Sequence, residues 1–161
     1  PMLSERVEAT KHPKLPGKNL LLQLPASSTT THDKVIALWD KNRAAWRELP
    51  SFYDPHERRV KAFTPFHFGK YMVKDREDVY RGGASWFPDA LVQNRFGAAS
   101  NAYPLGAEVI VTNTKTSARV GVKIVSVGPF VEGRIIDLTK TAFTALANPR
   151  EGIIEVRVEP K

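Results

Sequence analysis

From Gly82 onward the chain is a series of short apolar segments separated by turn residues, and that pattern leaves few folds open. Ala107–Asn113 (AEVIVTN) and Ala118–Val127 (ARVGVKIVSV) alternate or run apolar and β-branched, as half-buried strands do. Thr114–Ser117 between them is a hairpin turn. Gly82–Phe87 and Gly133–Ile136 read as further short strands, Thr139–Ala147 as a short helix, and Ile153–Glu159 (IIEVRVE) as a closing strand. Many short strands with one small helix predict a closed β-barrel.

The first half reads differently. Residues 1–31 form an expected extended arm. Pro13, Pro16 and Pro25 break any periodicity, and Ser27–Thr31 is a polar run. Within the arm, Leu20, Leu21, Leu22 and Leu24 make a β-prone segment that needs cover, either on the chain's own domain or on a neighbour. Residues 32–49 carry helical spacing: Val35, Leu38, Trp39, Asn42, Trp46 and Leu49 share one face. Thr31 is the expected N-cap, Asp33 suits the positive helix end, and Pro50 stops it. Trp39 and Trp46 on that stripe are a partner-binding surface or a packing face. Residues 50–80, with Pro50, Pro55, Pro65 and interleaved aromatics, read as an irregular connector. The expected division is an arm (1–31), a helix and connector (32–80) and a barrel (81–161).

The totals exclude several classes. There are no cysteines, so neither a disulfide framework nor a thiolate metal site is available. His12, His32, His56 and His67 lack metal-ligand spacing, and no metal or cofactor is expected. No apolar run reaches the length of a membrane-spanning helix. The net charge of +7 is spread along the chain without a Lys/Arg block. It suits anionic partners such as wall polymers, and no nucleic-acid-binding motif accompanies it. The chain opens Pro1-Met2, which fits a mature chain whose signal segment has been removed or an arbitrarily chosen start.

Four stretches carry a resemblance: Ala84–Phe87 (ASWF), Pro104–Val109 (PLGAEV), Val111–Asn113 (VTN) and Gly128–Thr139 (GPFVEGRIIDLT). Together they resemble the RlpA-like double-psi β-barrel family of the RlpA/expansin superfamily, over about half the chain. The resemblance implies a mainly β fold: a six-stranded double-psi barrel with a short helix, here preceded by the arm and the amphipathic helix. The last stretch also makes local sense. Gly128-Pro129 and Gly133 are turn residues, Ile135-Ile136 are core, and Asp137 or Thr139 stands where a helix starts and can cap it.

In lytic members the resemblance places a His before the LP-x-G turn and an Asp ahead of the GPF run, with an acid on an upstream loop. Those positions here are Ser100 and Ser126, and the upstream stretch from Trp86 to Ser100 is shorter. Glycan cleavage needs a proton donor for the leaving oxygen and a group that stabilises or attacks the developing cation. Serine supplies neither, so the degenerate positions imply a barrel without catalytic residues. In expansin-like relatives the acid matching Asp137 is implicated in wall loosening; its other role is helix capping. Arg134 pairs with a carboxylate or lines the groove beside Glu132. Asp89 and Glu108 are further carboxylates near the barrel.

The resulting expectation is a non-catalytic component of a bacterial periplasmic or envelope assembly, for example a periplasmic flagellar sheath or a division-site complex, with the arm contacting protein partners. The alternatives are a peptidoglycan-binding or expansin-like loosening protein and, last, a lytic transglycosylase with relocated acids.

Overall fold

The computed structural model describes residues 6–8, 19–27, 30–66 and 68–161. The expectations for Pro13, Pro16, His12, His67 and, within the polar run at 27–31, Ser28 and Thr29 therefore fall outside the described residues. The chain divides into two compact units, Pro1–Arg76 and Glu77–Lys161.

The first unit is built of strands. They are β1 (Arg6–Glu8), β2 (Leu20–Pro25), β3 (His32–Asp40), β4 (Ala45–Glu48), β5 (Ser51–Asp54), β6 (Arg59–Thr64) and the start of β7 (Lys70–Phe87). The expected amphipathic helix at 32–49 is instead the β3–β4 hairpin, with Trp39 opposite Trp46. Their rings meet edge-on at 5.4 Å, so the two tryptophans that looked like one helical stripe are a cross-strand pair. The physical reason lies between them. Asp40 Oδ1 accepts the amides of Asn42 and Arg43, and Ala44 takes a φ of +48°, which closes a tight turn where a helix would continue. Six consecutive residues, Asp33–Leu38, are buried, as in a strand covered on both faces rather than a helix with one wet side.

The expected irregular connector is also ordered. Asp54 Oδ1 accepts the amides of His56 and Glu57, turning β5 into β6. Lys74–Asp78, read as the connector's charged end, lies in the middle of β7. The leucine-rich segment of the arm is β2, paired antiparallel with β6, so this part of the arm docks within its own unit. Leu24 is buried beside Tyr53, Val60 and Tyr71, and Leu22 packs against them, while Leu20 and Leu21 stay exposed. Lys34 is enclosed as well: its ammonium lies 2.9 Å from Asp75 Oδ1 and donates to the Thr30 and His32 carbonyls.

The second unit is a closed ring of six strands. The rest of β7 is joined by β8 (Gly97–Ala99), β9 (Glu108–Asn113), β10 (Arg119–Ser126), β11 (Arg134–Thr139) and β12 (Ile154–Pro160). Around the ring, β7 pairs β12, β12 pairs β9, β9 pairs β10, β10 pairs β8, β8 pairs β11, and β11 returns to β7. The β7–β11 and β8–β10 contacts are parallel and the others antiparallel, which is the double-psi arrangement. Alternation decides which side chains fill it: Val120, Val122 and Ile124 of β10 and Ile154, Val156 and Val158 of β12 point inward onto Val109, Val111, Ile136 and Leu138. The strands flank one short helix, α1 (Lys140–Thr144), whose Phe143 is fully buried.

Closing the ring requires β7 and β11 to run close together. Gly83 N donates to Gly133 O at 2.8 Å, and a β-carbon at Gly82 would come within 2.8 Å of Ile135, so Gly82 is a steric requirement of closure.

Candidate functional site on the barrel

Two of the positions expected from sequence, Asp137 and Ser126, lie on one row across four strands. Ser85 on β7 is opposite Asp137 on β11, Asp137 is opposite Ala99 on β8, and Ala99 is opposite Ser126 on β10. The register of β10 against β8 shifts between Ile124 and Ser126, and this irregularity sets Ser126 at the end of the row. Ser100, one residue beyond β8, donates its amide to Ser126 O at 3.2 Å. Two residues 26 apart in sequence are thus main-chain neighbours.

Ser100 is built into the barrel. It is 2% exposed, its hydroxyl donates to Ile135 O at 3.1 Å, and it accepts the Ala102 amide. Those two bonds use its donor and one of its acceptor positions, which ties the corner after β8 to β11. Ser126 is half-buried.

Asp137 does not cap α1. Its Oδ1 accepts the Ser85 hydroxyl at 2.6 Å, and its Oδ2 faces the Arg134 guanidinium at 3.8 Å. Arg134 Nη1 donates in turn to Ser85 Oγ at 2.8 Å. A carboxylate, a hydroxyl and a guanidinium therefore lock one another on the β7–β11 seam, with Asp137 and Arg134 each about one-fifth to one-quarter exposed. The buried Arg134 Nε has no hydrogen-bond partner. Arg134 both pairs with a carboxylate and borders the row; Glu132 lies exposed on the preceding turn.

Capping falls to a residue that sequence reasoning left without a role. Asp89 accepts the Thr141 amide at 2.9 Å and the Thr141 hydroxyl at 2.5 Å. The Thr141 hydroxyl bond is the main reason the Asp89 carboxyl is held below the usual carboxylate range, with the Thr141 amide next and Arg95 adding attraction. Thr139, the other expected cap, instead donates its hydroxyl to Arg95 O. Glu108 is paired with Lys161 at 3.0 Å.

Ser85 and Asn101 were also missed as site residues. Asn101 Nδ2 donates to Pro129 O at 2.8 Å and its Oδ1 accepts the Gly128 amide at 2.9 Å, clamping the loop that follows Ser126. Ser85 lies within the ASWF stretch, but only its register against Asp137 shows what its hydroxyl does. Leu20, Leu21, Leu22, Leu24, Trp39 and Trp46 belong to the first unit.

This ring and its paired psi crossings define a double-psi β-barrel, and residues 80–158 match the family described as lytic transglycolase. The chain belongs, through those residues, to the RlpA-like double-psi β-barrel family. It is 42% identical over 67 residues to the endolytic peptidoglycan transglycosylase RlpA of Pasteurella multocida, covering 42% of this chain and 23% of that protein. It is 32% identical over 107 residues to the enzyme of the same name from Rickettsia felis, covering 66% of this chain and 46% of that protein. The second match is longer than the barrel unit and so reaches upstream of Glu77, into residues where the sequence reading found no resemblance. The chain spans less than half the length of these relatives. An expansin of Clavibacter michiganensis superposes at a TM-score of 0.42 with 20% identity, covering 52% of this chain and 50% of that structure. Among the described residues, no helix is long and apolar enough to cross a membrane.

Proposed function

We propose that this chain is a cell-envelope protein whose barrel holds peptidoglycan glycan strands without cleaving them. The observation that carries this reading is the state of Ser100: a buried hydroxyl, bonded on both sides, at the position where the resemblance places a histidine. A general acid must reach the leaving oxygen with a proton to give, and the hydroxyls of Ser100 and Ser126 are too weakly acidic to serve. Within the row, Asp137 accepts the Ser85 hydroxyl through one oxygen and has the Arg134 guanidinium 3.8 Å from the other. A carboxylate so placed can still accept hydrogen bonds from sugar hydroxyls. The names of the relatives supply the polymer, and the net charge of +7 favours an anionic wall.

The test is co-sedimentation of the purified protein with isolated peptidoglycan sacculi, with and without enough salt to screen surface charge. The protein is expected to pellet in both conditions, and Asp137→Ala and Arg134→Ala to pellet less. Failure of the native protein to pellet even at low salt would remove the reading.

A second reading, a structural part of a periplasmic assembly such as a flagellar sheath or a division-site complex, is favoured by the first unit. Leu21, Phe63 and Phe52 stand together on the outward face of the β2–β6–β5 sheet, and the two phenylalanines are each more than half exposed. Leu21→Lys/Phe63→Lys tests it: a drop in assembly size by sedimentation velocity supports the reading, and an unchanged size removes this face from it.

A further inference from the structure

Phe130 is the most exposed large apolar side chain among the described residues, at 83%. It lies four residues past Ser126, on the loop that leads from β10 to β11. An aromatic ring left in water on a loose loop would need no explanation, but this loop is held. Asn101, next to Ser100, bonds Pro129 O and the Gly128 amide with the two ends of one amide group. Arg134 N closes the other end of the loop onto Val131 O at 3.2 Å. Gly128 has a φ of +119°, and a β-carbon built there would come within 3.6 Å of the Phe130 ring. The ring therefore rests beside a bare α-carbon and keeps its remaining surface open. Nothing in the barrel core uses it.

We propose that Phe130 is a stacking platform for a sugar ring of a β-1,4-linked amino-sugar strand lying along the Ser85–Ser126 row. This rests on the wall-holding reading and adds a contact that reading does not require. The chemistry fits a pyranose. Its axial C–H bonds form an apolar face that packs on an aromatic ring, while its edge hydroxyls are left to polar neighbours. A ring already fixed in place loses little freedom on binding, which is what the Asn101 clamp contributes. Asn101 is in this account a positioning residue, since its amide is spent on the loop.

The experiment uses the full chain, with sacculi in sedimentation and a soluble chito-oligosaccharide in saturation-transfer NMR. Phe130→Ala is expected to bind both probes about tenfold more weakly, a loss typical of one good contact. Phe130→Trp should bind as well as the native chain or better. Phe130→Leu discriminates further, because it keeps apolar area and loses the aromatic face. It should behave like Phe130→Ala if a sugar stacks there, whereas native-like binding by Phe130→Leu would mean a merely greasy contact and would overturn the proposal. Asn101→Ala should fall between, with Phe130 ring resonances broadened. Because Phe130 packs on so little, its variants should melt with the native chain, and circular dichroism checks this. If the native chain binds sacculi and Phe130→Ala binds equally, the platform is wrong and the wall-holding reading stands. If the native chain binds neither probe, both fall.

Discussion

In the barrel, every strand has a neighbour on each side, and the polar side chains buried there are the neutral groups of Ser85, Ser100, Asn113 and Thr139. In the first unit, β2 and β5 end their sheet among the described residues, and the buried polar set includes the charged Asp33 and Lys34. A neutral hydroxyl can be enclosed at modest cost when a carbonyl accepts its proton, as Ile135 O does for Ser100. An enclosed ammonium needs a counter-ion, and Lys34 has Asp75. The difference bears on function. In the barrel the Ser100 hydroxyl serves as an internal tie, while the first unit holds its shape around an enclosed charge.

The largest effect is expected from Asp75→Asn, which removes the carboxylate 2.9 Å from the enclosed Lys34 ammonium. It is expected to destabilise the first unit by about 3–5 kcal/mol. Urea unfolding followed through Trp39 and Trp46 reads that unit, and an unchanged midpoint would mean that the ion pair is not what holds it. Ile136→Ala, a cavity in the wall of the closed ring, is expected to cost about 3 kcal/mol and to appear in the Trp86 signal. Ser100→Ala should cost about 1–2 kcal/mol, because the Ala102 amide and the Ile135 carbonyl lose a partner inside the barrel. A neutral outcome there would remove the claim that Ser100 is a structural tie.

The smallest effect concerns Asp89. Its folded carboxyl is held below the usual range by Thr141, so its stabilisation is fully present above the unfolded pKa of about 3.9 and is lost as pH falls through the lower folded value. The gap in melting temperature between the native chain and Asp89→Ala should be constant near neutrality and should close in acid. A gap that widens in acid would contradict the capping role.

What could be read from the sequence followed the same division. In the barrel, period-2 alternation coincides with the strands, as in Val120, Val122 and Ile124, and turn residues fall between them. The pattern and the fold agree there because each strand has one face toward a single core. In the first unit, Asp33–Leu38 is buried on both faces, so its apolar run has no period to distinguish strand from helix. The spacing of Trp39 and Trp46 then mimics two helical turns. The Asp40 side chain, bonded to Asn42 and Arg43, decides the matter, and an Asp-x-Asn-Arg stretch is legible as a turn only if local side-chain bonds are weighed against periodicity. In the site, Ser100, Ser126, Asp137 and Arg134 could be named from sequence, but their joining could not. Ser85 and Asn101 act through strand register and main-chain bonds, which spacing along the chain does not encode. Asp89 caps α1 from 51 residues before it, whereas the sequence alone points to the nearer Asp137 or Thr139.

If the proposed function is right, this barrel holds wall glycan and does not cut it. The most direct measurement is mass spectrometry of soluble glycan fragments after prolonged incubation of the native protein with glycan strands stripped of their stem peptides, beside an active lytic transglycosylase. No anhydro-sugar or reducing-end product above the protein-free control is expected. Release of either product that grows with protein concentration would show that a proton donor operates in this barrel after all.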